Sequence, residues 1–237
     1  MNTKIDKLFL GSMSVKVELK DIKNVHLSVY PPNGAIKVSA PFGTNIDTLR
    51  VYLSVRIPWI RQQQLKLQSQ KRISPREFLT RESHYIWGKR YLMQVIENAD
   101  FSGVIIDHST IKLNLKNGQN ISQKSKIYQK WQRSELKKEV TRLLKHWEPI
   151  IGVKINSLTI RKMKTKWGSC NPDVKTINLN LNLIEKPPEH LEYIVVHELI
   201  HLVERSHNAN FVAHIDKYIP NWMDIKSQLN QLPLLTI

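Results

Sequence analysis

A single cysteine, Cys170, is all the chain contains, which rules out an internal disulfide and a cysteine-built zinc knuckle. Any metal must therefore be held by histidine and carboxylate. Long apolar runs are missing as well. No stretch approaches the length that spans a bilayer, and the opening MNTKIDKLFLGSM has lysines but no apolar signal-peptide core. The expected setting is the cytoplasm, with no membrane partner. There is no Gly-rich phosphate loop and no internal repeat in the sequence. Acidic residues are wholly absent from Leu49 to Pro75, where Arg50, Arg56, Arg61, Lys66, Lys71 and Arg72 recur.

What is present is an ordinary apolar fraction of 41% in 237 residues, enough for a buried core, and a formal charge of +16. The charge is uneven. Residues 185–237 carry four Lys/Arg against seven Asp/Glu, a balance of −3, so the other residues carry 32 against 13, a balance of +19. A basic helix is expected between Lys124 and Lys145. Such stretches are either solvated helix faces or surfaces that attract an anionic partner, a nucleic acid, a nucleotide or an acidic protein.

The patterning predicts an α+β fold. Residues 14–40 alternate apolar and polar around a PPNG turn, as a β-meander does. Asn45 or Thr44 can cap a helix with Ile46, Leu49, Tyr52 and Leu53 on one face, divided or kinked at Pro58. YIWGKRYLMQVIE reads as a hairpin folded at Gly88-Lys89, followed by strands in VIIDHSTIKLNL. The polar connector 116–123 marks the expected boundary between a β-rich N-terminal region, 1–122, and a C-terminal core, 123–237. In that core the order is helix, strand KINSLTIRK, loop MKTKWGSCNPD, strand KTINLNLNLI, and then a helix opened by Pro187 and Pro188. The latter strand puts Thr176, Asn178, Asn180 and Asn182 on one face and aliphatic residues on the other.

The helix after Pro188 is apolar around most of its circumference yet contains His197, Glu198 and His201. Burying such groups without partners costs a few kcal/mol each, roughly, and a metal ion would compensate. Residues four apart project side by side from a helix, so the His197 and His201 imidazoles can close on one ion, with Glu198 beside them as general base. The third ligand is sought among His207, His214, Glu204, Asp216 and Asp224. His207 is chosen because Arg205, Ser206 and Asn208 suggest a chain reversal that returns the next histidine to the metal. Glu204, one more turn along the same stripe, is expected to orient a ligand or face solvent.

These residues resemble a known family. Trp167-Gly168-Ser169-Cys170, the strand with Asn180, the Pro-Pro helix start, HELIH, SHNANF and PNW are similar to the C-terminal half of YgjP-like metallopeptidases, relatives of SprT-like and WLM zinc proteases. The resemblance implies a minimal zincin-like core, Zn2+ held by His197, His201 and His207, Glu198 as catalytic base, and a peptide or protein substrate. An extended substrate is expected on the Lys175–Ile184 strand, with Asn180, Asn182 and Trp167 as substrate-binding candidates; Trp167 is otherwise a core anchor, and Cys170 a small buried residue. Two departures are Val212, where an aromatic often follows the phenylalanine, and Asn182, where many members carry arginine. The alternatives are a metal-dependent phosphohydrolase acting on nucleotides, or a nucleic-acid-associated protein with a zinc site.

Overall fold

The computed structural model describes residues 4–30, 33–69, 76–163 and 165–231. Lys71 and Arg72 of the acid-free stretch, and the prolines of the PPNG turn, lie outside them. The chain divides into two compact units, one within Met1–Ile73 and one spanning Ser74–Leu232.

The first unit holds β1 (Lys4–Leu10), β2 (Met13–Lys20), β3 (His26–Tyr30), β4 (Ala35–Pro41), α1 (Ile46–Ser54) and α2 (Ile57–Ser69). β1 lies ahead of the alternating stretch that marks the other strands in the sequence. The sheet is not a meander: its order is β1-β2-β4-β3, and β2 runs parallel to β4. Period-two alternation identifies strands but not their partners. Asn45 caps α1 by accepting from the Asp47 N–H, as its position before the periodic run predicts. Leu8, Leu10, Val15, Val17, Ile36 and Val38 on the sheet are buried with Leu49, Leu53 and Ile60 of the helices.

The second unit opens with a sheet of the same plan. Strands β5 (Ser83–Ile86), β6 (Lys89–Ile96), β7 (Gly103–Asp107) and β8 (Thr110–Asn114) lie in the order β5-β6-β8-β7, again with a parallel central pair. The sequence hides this repeat because pairing order leaves no trace in residue identity. The first hairpin turns at Trp87-Gly88, one residue earlier than predicted, with φ of 51° and 75° at the two positions; positive φ at both is what a two-residue hairpin turn requires.

The long helix α3 (Ile121–Ile151) follows. The connector before it is polar because it starts this helix: the Asn120 side chain accepts from the Gln123 N–H, and the Gln123 side chain accepts from the Asn120 N–H. The expected boundary at 122–123 thus falls inside the second unit. Tyr128, Gln132, Leu136, Val140, Leu143 and Trp147 form its buried stripe, and Gly152, at φ 79°, ends it. Three of its eight Lys/Arg are paired with carboxylates, Lys138 with Glu135 and Arg142 with Glu139 on the helix itself and Lys124 with Glu97 beyond it.

The remaining elements are β9 (Ser157–Arg161), β10 (Gly168–Asn171), β11 (Thr176–Asn180), a 3-10 helix (Leu181–Glu185), α4 (Pro188–Ile200), α5 (Ala209–Tyr218) and α6 (Trp222–Gln231). β10 lies in what the sequence suggests is a loop. The strand predicted over 175–184 stops at Asn180, whose side-chain oxygen accepts from the Asn182 N–H and turns the chain into the 3-10 helix. α4, buried on nearly every side, shares one core with α3 and the sheets of this unit. No described helix is long and apolar enough to cross a membrane.

His84 on β5 is 1% exposed and packs edge-on to Tyr128. Burial, aided by the Arg76 charge, holds its pKa down at about 3, so the nearby Glu82 carboxylate faces a neutral ring. Unfolding releases an imidazole that protonates below about pH 6.5. This group's contribution is therefore present above that pH and is lost as pH falls toward 3, by up to about 1.4 kcal/mol per unit. His84→Phe is expected to flatten that acid slope. Thermal melts of both proteins from pH 7 to pH 4 check it; identical slopes would discount His84.

Candidate metal centre

α4 delivers His197 and His201 from successive turns, their rings 4.9 Å apart. The helix ends there, with His201 as C-cap. Glu204 consequently does not continue the stripe, as the sequence suggested. It builds the turn: its backbone carbonyl lies 3.1 Å from His201 Nδ1, and its carboxylate accepts from the Ser206 N–H and hydroxyl. The Ser206 amide is the main reason its carboxyl stays below the usual range. Nδ1–H donation to Glu204 leaves the His201 Nε2 lone pair free, the arrangement a metal ligand needs. Asn208 then caps α5 through the Phe211 N–H.

This reversal returns His207 to α4. Its Nε2 comes 3.0 Å from His197 Nε2, and one nitrogen of each of the three rings lies within 4.8 Å of the others. Two ligand nitrogens at about 2.0–2.1 Å from a tetrahedral ion stand about 3.4 Å apart, so the cluster fits a metal closely. Burial, the His201 ring and the His207 ring hold His197 down at about 3, and burial lowers His207 as well; at neutral pH both are lone-pair donors. Phe211, 3% exposed, touches all three rings at 4.7–4.9 Å between centroids. It is the apolar floor of the site. Its position one turn beyond His207 is visible in the sequence, but the contact is not.

Glu198 sits on the same turn of α4, 5% exposed, and burial pushes its pKa up to about 8 against the opposing charge of Lys166. Together with Lys166, Gly168, Ser169, Cys170, Arg205 and the three histidines it lines a cleft of about 450 Å³. Gly168 is there of necessity. A Cβ at that position would lie 2.5 Å from Glu198 Oε1 and 2.9 Å from its Cδ and Cγ. Gly168→Ala is expected to keep the histidine cluster and its metal but to displace the carboxylate, lowering turnover about a hundredfold. Metal content and kcat measured on one preparation check this, and wild-type kcat would refute it.

Cys170 also borders the cleft but does not belong to the histidine cluster, and burial and the Glu198 charge push its thiol up to about 11, which makes it a poor nucleophile at neutral pH. His214 stacks on Tyr218, and Asp216 accepts from the Trp222 indole N–H; neither they nor Asp224 belong to the cluster.

The proposed substrate residues are placed differently from expectation. Asn180 is fully buried, and its amide is spent inside the fold, donating to the Met163 and Lys166 carbonyls at 2.9 Å. It brackets the segment leading into β10. Asn182 is buried in the 3-10 helix, and Trp167 packs against the core with its carbonyl accepting from the Asn180 N–H. None of the three lines the cleft. The alternation that suggested a polar outer face ends where the strand does. β11 is moreover the central strand of the order β10-β11-β9, so no substrate strand can be added to it.

Paired imidazoles on one helix, a third from the turn behind it and a carboxylate between them define a metal-dependent hydrolase. Comparison with known families makes this specific: the model described as YgjP-like, metallopeptidase domain, matches residues 23–232. The chain belongs to the YgjP-like metallopeptidase family. It is also similar to the crystal structure of the abylysin metallopeptidase zymogen of Pyrococcus abyssi, at 26% identity over 38% of this chain and 90% of that one, with a TM-score of 0.36. The jannalysin zymogen of Methanocaldococcus jannaschii is similar at 27% identity over 39% and 88%, with a TM-score of 0.35. No curated relative matches the sequence.

Proposed function

We propose that the protein is a zinc-dependent peptidase in which His197, His201 and His207 hold the ion and Glu198 moves the proton. The observation that carries this reading is the convergence of three imidazole nitrogens within 4.8 Å beside the buried Glu198, on the wall of an open cleft. An all-imidazole set suits zinc, and it leaves a fourth coordination position for chemistry. Zinc held by the three imidazoles would supply the Lewis acidity that polarises a peptide carbonyl and lowers the pKa of water. Burial alone keeps the Glu198 carboxyl protonated near neutrality, and a dication held beside it would favour the ionised form; that carboxylate would take the proton of the attacking water and return it to the leaving amine. Gly168 keeps the space in which that carboxylate turns from one partner to the other. Phe211 and the Glu204 carbonyl fix the ring planes.

An extended peptide is held by strand addition at β10, a terminal strand whose residues 168–170 line the cleft. This reassigns the role expected of the Lys175–Ile184 strand. The family match favours peptide over phosphate ester as substrate. The test is to incubate the zinc-loaded protein with a peptide library and, in parallel, with nucleotides, using Glu198→Gln as control. New peptide termini only in the wild-type digest support the reading; cleavage products of nucleotides alone reject it, as do identical peptide profiles.

A further inference from the structure

The first unit's sheet buries one face under its helices and leaves the other open. Alternation along the strands puts Lys7 and Phe9 of β1, Lys16, Glu18 and Lys20 of β2, and Lys37 of β4 on the open side, opposite the buried Leu8, Val15, Val17 and Val38. Lys7 pairs in register with Lys16, and Lys16 with Lys37. Three lysines therefore stand side by side across neighbouring strands, a row about 10 Å long. Like charges directly opposite one another destabilise a sheet. The fold offsets this with one carboxylate only: Glu18, 6% exposed, accepts from Lys16 at 3.1 Å, Lys20 at 2.7 Å and Lys37 at 2.8 Å, and those partners hold its pKa down at about 2. Among the described residues Lys7 forms no ion pair. Lys7, Lys16, Lys20 and Lys37 against Glu18 leave a surplus of three positive charges. Beside them Phe9 is 63% exposed, and Tyr30 on β3, in register with Ala35, shares the face. Residues 1–73 as a whole carry twelve Lys/Arg against four Asp/Glu.

We propose that this face binds single-stranded nucleic acid, with phosphates along the lysine row and an unpaired base stacked on Phe9. The charge is complementary to a phosphate backbone, and an exposed ring amid cations is the arrangement that holds unpaired bases without regard to sequence. The open face projects no helix that could enter a major groove. α3 carries a positive surplus too, eight Lys/Arg against three Glu, but no Phe, Tyr or Trp on it is exposed, so it offers no ring on which an unpaired base could stack.

The test is fluorescence anisotropy of a labelled oligothymidylate of about 15 nucleotides titrated with the full chain at several salt concentrations. Lys7 and Phe9 are exposed and stand outside the Glu18 cluster, so Lys7→Glu and Phe9→Ala spare the fold, as unchanged melting temperatures verify. Binding is expected to weaken with salt with a log–log slope of about −2, the value for three phosphate contacts on a single strand. Lys7→Glu is expected to weaken it at least about tenfold and to flatten that slope, and Phe9→Ala about tenfold with the slope kept. Lys138→Glu/Arg142→Glu leaves affinity unchanged. The proposal is overturned if the wild type does not bind, if neither Lys7→Glu nor Phe9→Ala weakens binding, or if a duplex of equal length or polyglutamate binds as tightly as the single strand.

Discussion

Glu198→Gln is expected to reduce peptide turnover about a thousandfold while leaving the metal in place, within the range general acid–base groups contribute. Glutamine has nearly the same volume and fits the space opposite Gly168, but its amide cannot accept a proton at neutral pH. Since Glu198 is not one of the three converging histidines, the metal affinity of the site should be unaffected. Two measurements separate the roles: metal content per chain, and kcat with a peptide found in the library screen. Full metal with lost kcat assigns the proton transfer to Glu198. Unchanged kcat would remove it from the mechanism and leave the cleft without a base.

His207→Ala should act on the ion itself. The other two proposed ligands ride on a buried helix, and two imidazoles cannot by themselves enclose a tetrahedral ion. Loss of an orienting partner of a ligand costs about 10–100-fold in metal affinity, and loss of the ligand should exceed that upper figure. Competition against a chromogenic chelator reads the constant directly. Because His207 is exposed and belongs to a turn, the variant should melt within a few degrees of the metal-free wild type. An affinity equal to wild type would remove His207 as a ligand and send the search to other donors.

The site was more legible in the sequence than the fold around it. His197 and His201 follow from helical spacing, and His207 from the polar reversal after it, because local geometry decides both. Gly168 and Phe211 were not legible as site residues, since each matters through a contact made across the fold. Asn180 misled for a related reason. Alternation placed it on a polar face, whereas its side chain turns inward to hold the Met163 and Lys166 carbonyls. The strand β10 escaped because Gly-Ser-Cys-Asn has neither the length nor the β-branched residues that mark a strand. Helices α1 and α3 were legible because their caps and apolar stripes are local.

The matched strand orders of the two four-stranded sheets bear on how the chain folds. In each, the antiparallel pairs β1–β2 and β3–β4, or β5–β6 and β7–β8, join neighbours in sequence, and such hairpins close in about 1–10 μs. The parallel seam between the middle strands joins segments far apart in the chain, so it must wait for two finished hairpins to meet in register. Zipping of that seam, once in each unit, is then the slow event of assembly, and substitutions along β2, β4, β6 and β8 should retard refolding more than those on the outer strands.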